Sequence, residues 1–274
     1  MRKTGISSRK FGPLGVYAVV YLLFLYVPVL FLPLFSFNDS IYVAFPLKGF
    51  TLEWYGKMAA SGGLIEALFN SLKVASAVAI FSTILGTLAA KAVTRYRLRG
   101  RGPIVGMIML PFVIPGIILG ISILVLANAA GLPLTLFTIA IGHTLIAVPF
   151  AMLVMISRLE GFDRNLEEAA MDLGENAWMT FWRVTFPLAL PGFIASLLLT
   201  FTESFDEFIL AFFLAGTEVT LPVYIWSQLR FPSKLPNVLA LGSCILAASF
   251  FVIAFSEWVR RRGVRGEAAA PVVA

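Results

Sequence analysis

Gly161-Phe-Asp-Arg-Asn-Leu-Glu-Glu-Ala-Ala-Met-Asp-Leu-Gly-Glu-Asn-Ala-Trp-Met-Thr-Phe-Trp-Arg-Val-Thr-Phe-Pro-Leu-Ala-Leu-Pro191 separates two long apolar runs, and its reading decides that of the chain on either side. Asn165 is a helix N-cap residue type, and Glu168 follows three positions later in the reciprocal place of a capping box. Gly174 is a stop signal, so a first short helix is predicted up to it and a second beyond it, as far as Pro187. Acidic residues gather near the start of the first helix, where the macrodipole favours them. Leu166, Ala169, Ala170 and Leu173 fall on one small apolar face, with Glu167 and Asp172 displayed elsewhere. Such a face suits docking into a groove on another protein. The competing reading is a helix lying in the membrane interface; its acidic character argues against that, because anionic headgroups attract basic faces.

Outward from this loop the sequence is apolar. Hydrophobic residues make up 59% and charged residues 13%, against roughly 45–50% apolar in a soluble domain. Runs of about 20 apolar residues, the length that a bilayer core of about 30 Å demands, recur throughout. Helical spans are predicted at residues 14–35, 68–92, 103–127, 133–156, 191–214 and 238–259, the third and fourth joined only by Asn128-Ala-Ala-Gly-Leu132. The first has basic residues before it and no small-residue cleavage site in its second half, so it is expected to remain as a signal anchor. The expected organisation is one all-α membrane domain over 14–259, with an N-terminal segment 1–13, a large loop 157–190 and a C-terminal tail 260–274 that is expected to be frayed from Gly266 to Ala274. Cys244 is the only cysteine; it permits no intrachain disulfide and no cysteine metal site, and a packed core thiol is expected.

The net charge of +6 does not mark a nucleic-acid protein, because the basic residues flank the spans in short groups. Arg2, Lys3, Arg9 and Lys10, then Lys91, Arg95, Arg97, Arg99 and Arg101, then Arg158, Arg164 and Arg183, then Arg260, Arg261, Arg262 and Arg265 fall on one side. The other side holds Lys48, Lys57, Arg230 and Lys234. Sixteen against four is a strong positive-inside bias and predicts that both termini and the loop face the cytoplasm.

With the loop on that side, Glu168-Ala-Ala170, three residues, Gly174, nine residues and Val184-x-Phe-Pro187 together resemble the EAA loop of binding-protein-dependent ABC importer permeases. Valine and Phe186 depart mildly from the family's closing aliphatic-x-Leu-Pro. The resemblance implies a type I permease fold and a loop that serves as coupling helix in a cleft of a cytoplasmic ABC ATPase dimer. It places Glu168, Ala169, Ala170 and Gly174 at the coupling positions, and Glu167 and Asp172 on the same helix join the expected contact. Phe50-Thr-Leu-x-Trp-Tyr55, Asn70-Ser-Leu72, His143 with Pro149, and Ser204-Phe-Asp-Glu-Phe208 are similar to the spermidine/putrescine-type branch. That implies polyamine import through a pore shared with a second, different permease subunit and fed by an external solute-binding protein.

The fifth span carries the unusual chemistry. At about 100° per residue, Ser196, Thr200, Glu203, Asp206 and Glu207 fall in one arc, while Phe201, Phe205, Phe208 and Phe212 oppose them. A charge at mid-membrane costs roughly 2.5–3.5 kcal/mol, so these carboxylates are expected to line a solute path or to be paired. Neutralising a multivalent organic cation, with hydroxyls taking ammonium protons, is one reading; pairing with helix ends, Lys73 or Arg230 is the other.

No Gly-x4-Gly-Lys-Ser/Thr loop is present, so energy from ATP has to come from a partner. No metal-ligand spacing, cofactor motif or nucleophile with a base appears, since His143 is the only histidine; it reads as a packing residue. Trp54, Tyr55, Trp226 and Trp258 read as interfacial anchors. A secondary transporter or channel would explain the carboxylates but leave the loop unexplained, and no internal repeat of the kind common in carriers is found.

Overall fold

Where no residue interrupts the hydrogen-bond ladder, the apolar runs form long helices, and where one does, they break. In the computed structural model, which describes residues 12–267 and, of 252, 253 and 255–267, the backbone alone, the elements are α1 (Pro13–Ser36), α2 (Glu53–Ala59), α3 (Gly62–Arg95), α4 (Arg101–Val113), α5 (Gly116–Ala129), α6 (Leu136–Glu160), α7 (Asn165–Asp172), α8 (Ala177–Thr180), a π-turn (Phe181–Thr185), α9 (Phe186–Asp206), α10 (Ile209–Leu214), α11 (Leu221–Gln228) and α12 (Leu235–Glu267). Among the described residues the only strand-like pairing is an isolated bridge between Asn38 and Phe50. Five helical stretches are long and apolar enough to cross a membrane, and α4 with α5 makes a sixth if the bent pair crosses as one. Arg2, Lys3, Arg9, Lys10, the side chains of Trp258 and of the arginines from 260 to 265, and the end of the tail lie outside the described residues.

Two compact units result. The first joins the chain's ends, up to Ser61 and from Gln228. In it α1 packs on α12, and the segment after α1 is pinned by polar contacts: Trp54 Nε1 donates to the Asn38 carbonyl at 2.9 Å, and Tyr55 Oη lies 2.7 Å from Ser36 Oγ. Trp54 is 7% exposed, so it is a core residue of this segment rather than the interfacial anchor expected. Cys244 is exposed and not a packed thiol. In a bilayer an apolar helix face needs no protein against it, because lipid tails are as apolar as a leucine.

The second unit, Gly62–Ser227, holds both groups of residues singled out above. Its centre is the crossing of α3 and α6, where Gly86 lets two backbones meet: a Cβ there would stand 2.6 Å from Ala151 Cβ and 2.7 Å from Met152 N. Neither neighbour can swing away. Gly86→Val is therefore expected to force the helices apart at an overpacking cost of about 1–3 kcal/mol, read as a lower apparent Tm in detergent; an unchanged Tm would mean that α3 and α6 do not cross here. One apolar core gathers Val74, Val78, Ile139, Leu210 and Leu214, and another gathers Ala90, Met152, Met155, Leu159 and Ala189.

Two spans expected to be continuous are broken. The third turns through 99° between α4 and α5: Ile114 is extended before Pro115, as the clash between a proline ring and the preceding residue favours. The fifth ends as α9 at Asp206, passes through extended Glu207 and restarts as α10. Acidic side chains are unfavourable at a helix C-terminus and favourable at an N-terminus, and Asp206-Glu207 sits at that junction. Pro187, in contrast, does not end the helix that precedes it. The π-turn, closed by Phe186 N–H on the Phe181 carbonyl, widens the ladder so that α8 runs through both prolines into α9.

Candidate functional site

The loop's first helix already includes Asn165, which was expected to cap it. Leu166 and Glu167 N–H already return to the Asp163 and Arg164 carbonyls, and the capping oxygen is Asp163 Oδ1, 3.0 Å from Asn165 N. No capping box with Glu168 forms. At the other end Gly174 N–H bonds the Met171 carbonyl at 2.9 Å and Glu175 N–H that of Ala170 at 3.1 Å, the paired bonds of a Schellman cap. Gly174 has φ +95°, in the region that favours glycine. Asn176 caps the next helix, its Oδ1 accepting from Met179 N at 2.9 Å. The glycine between two short helices is thus as expected, and the residues that cap them are partly different.

Of the residues expected at the coupling contact, Glu168, Ala169, Asp172 and Gly174 are exposed and Ala170 is half-buried, with Leu166, Met171 and Leu173 exposed beside them. Glu167 departs from the expectation. It is 8% exposed and turned away from that surface. Its Oε2 lies 2.7 Å from Arg95 Nε at the end of α3, and its Oε1 accepts from Thr185 Oγ1 at 2.5 Å. One helical step separates it from Glu168, which periodicity alone could not resolve into inside and outside. Arg95 goes on to donate to the Leu159 carbonyl at 3.0 Å and stacks on Phe162, while Arg164 donates to the Arg95 carbonyl at 2.7 Å. Nearby, Arg158 donates twice to the Leu188 carbonyl, at 3.1 and 2.6 Å. A cleft of about 310 Å³ opens beside this cluster, lined by Lys91, Arg164, Glu168 and Met171 among others. Neither Arg95 nor Thr185 stood out in the sequence: Arg95 read only as one of five basic residues, and Thr185 carried no signal.

The second group lies further along the same helix, its first carboxylate, Glu203, about 27 Å from Thr185 at 1.5 Å per residue. Thr200 is fully buried and its hydroxyl donates to the Ser196 carbonyl at 2.7 Å, so it faces the interior of the bundle. Ser196 is likewise buried, 3.1 Å from Thr83 Oγ1. Glu203 is half-buried, and its Oε2 is enclosed without a hydrogen-bond partner among the described residues. Asp206 is exposed. Glu207 Oε1 accepts from Leu210 N at 3.0 Å and so holds the start of α10. None of the three carboxylates forms a salt bridge among the described residues, so the pairing with Lys73 or Arg230 that the sequence allowed is not made there.

Distant motif fragments do meet. His143 Nδ1 and Ser204 Oγ are 2.9 Å apart, both buried, which makes His143 a contact between α6 and α9. Asn70 Nδ2 donates to the Val219 carbonyl at 3.2 Å and Ser71 Oγ accepts from Leu221 N at 2.8 Å, fixing the turn that enters α11. No group of three or more His, Cys, Asp or Glu side chains suited to a metal ion occurs among the described residues.

The family model for the binding-protein-dependent transport system inner membrane component matches residues 82–264. The chain is 33% identical over 244 residues to the spermidine/putrescine transport system permease protein PotC of Escherichia coli (strain K12), across 89% of this chain and 92% of that protein. It is 36% identical over 243 residues to the putrescine transport system permease protein PotI of the same strain, across 86% and 85%. Among solved structures, a bacterial alginate ABC transporter in complex with an alginate pentasaccharide-bound periplasmic protein is similar in fold, with a TM-score of 0.70 at 16% identity, covering 91% of this chain and 92% of that one.

Proposed function

Since the chain belongs to the family of binding-protein-dependent transport system inner membrane components, as a membrane permease subunit of an ABC importer, we propose that its solute is a polyamine-like organic cation. The observation that carries this reading is Glu203, whose enclosed carboxylate oxygen lacks a hydrogen-bond partner among the described residues, one turn from exposed Asp206. A buried polar group left unpaired costs about 1–3 kcal/mol, and a passing ammonium group would complete it. The similarity to PotC and PotI, named for spermidine and putrescine, supports the same class.

The rest of the assembly follows from the same premise. The bent α4–α5 pair crosses as one span, which gives six and leaves both termini on the side of the α7 loop; the distribution of Lys and Arg supports the cytoplasm as that side. There α7 docks on an ATPase dimer through Glu168, Ala169, Ala170, Asp172 and Gly174. ATP binding closes that dimer, moves the docked helix and rocks the spans between inward-open and outward-open states. A second, different permease subunit completes the pore, and an external binding protein delivers the solute.

The test uses proteoliposomes holding this chain with its partner permease and ATPase, the binding protein outside and ATP inside. Accumulation of radiolabelled spermidine that depends on ATP and is competed by putrescine is expected. Hydrolysis stimulated by a neutral or anionic solute, with no response to polyamines, would overturn the cation reading while leaving the permease itself untouched.

A further inference from the structure

A short helix that receives force from a partner has to be attached to what it moves. For α7 that attachment is unusual: of its eight residues the single buried one is a glutamate, and none of them belongs to either apolar core. Its hold on the bundle is therefore ionic and directional. Glu167 spends one oxygen on Arg95 and the other on Thr185, and their side chains are buried with it. Through Arg95 the contact reaches the end of α3 and, by the bond to the Leu159 carbonyl, the end of α6. Through Thr185 it reaches the last residue of the π-turn, from which α9 and its carboxylates follow without a break. A π-turn is a wide, locally weakened stretch of ladder and recurs at functional sites; here its final residue is the one clamped.

We propose that Glu167 is a positioning residue for transport, transmitting displacement of α7 to α3, α6 and α9 through Arg95 and Thr185 and taking no part in binding the ATPase. This rests on the reading of α7 as the ATPase contact. It assigns neighbouring glutamates opposite duties: Glu168 faces the partner, and Glu167 faces the pore-forming helices.

Full complexes carrying Glu167→Gln, Thr185→Val or Thr185→Ser are compared in proteoliposomes for retained ATPase, ATP hydrolysis and spermidine accumulated per ATP. Glutamine keeps the shape and loses the charge; valine keeps the shape and loses the hydroxyl. Losing a charge-assisted bond predicts that Glu167→Gln keeps the ATPase bound and hydrolysing while import per ATP falls about tenfold or more, and that Thr185→Val falls about threefold. Thr185→Ser, which restores the hydroxyl, should return import per ATP toward the wild-type value. Unchanged import per ATP in both Glu167→Gln and Thr185→Val overturns the proposal, and so does loss of the ATPase from Glu167→Gln, which would make that residue part of the docking face. Glu168→Lys, measured alongside, tests the docking reading separately: if it keeps the ATPase and imports normally, that reading has failed whatever Glu167→Gln does.

Discussion

Gly174→Asp is expected to abolish ATP-dependent import while the subunit still inserts. Gly174 closes α7 with φ +95°, and its N–H and that of Glu175 satisfy two of the helix's last carbonyls. An L-residue there is strained by about 1–3 kcal/mol, and aspartate adds a negative charge at a helix C-terminus, unfavourable by about 0.3–1 kcal/mol. Helices shorter than about 12 residues are marginal in isolation, and α7 has eight, so its cap decides whether it exists. A Cβ at this position meets nothing within 4 Å in the chain itself. If α7 docks on the ATPase as proposed, any steric effect of a side chain here falls on that partner. Gly174→Ala, which adds strain and a methyl group without charge, should retain part of the import; Gly174→Asp should retain none and should release the ATPase on purification. Normal import and normal association in Gly174→Asp would remove α7 from the contact.

The apolar spans were legible because hydropathy adds over a window, and the same additivity hides where a span breaks. Pro111, Pro149, Pro187 and Pro191 sit within helices or at a helix start, whereas Pro115 marks a 99° bend. What separates them is the backbone of the preceding residue, extended at Ile114, and composition does not report it. The break at Glu207 does carry a local signal, two acidic residues where a helix end would repel them and a helix start would hold them. The loop's glycine and its exposed face could be read from local spacing. The burial of Glu167 could not, because its partner Arg95 is 72 residues away on another helix. Burial within the spans was the least legible of all: lipid substitutes for a protein core, so Cys244 could be apolar and exposed, and Thr200 hydroxylic and enclosed.

The carboxylates near the break in the fifth span allow a graded test of the solute path. Glu203→Gln should lower uptake of spermidine most, because its enclosed oxygen has no hydrogen-bond partner among the described residues to fall back on. A charge-assisted hydrogen bond is worth about 1.5–3 kcal/mol, and about 1.4 kcal/mol is a factor of ten. A loss of roughly ten- to a hundredfold in uptake at low spermidine follows from those two figures. Asp206→Asn should act less strongly, since this side chain is exposed in the subunit and, if it faces the water of the path, its charge is screened. Glu207→Gln separates structure from charge: glutamine's carbonyl can still accept from Leu210 N and hold α10, so any loss reports the missing charge alone. Glu207→Leu removes both and should also lower the apparent Tm. All of these variants should keep the ATPase bound, because the substitutions lie about 27 Å or more along the helix from Thr185. If uptake in the triple variant Glu203→Gln, Asp206→Asn, Glu207→Gln equals that of the wild type, the solute does not pass these carboxylates. If the triple variant imports spermidine poorly while a neutral solute begins to cross, the acidic face is both the attraction for the cation and the barrier to other solutes.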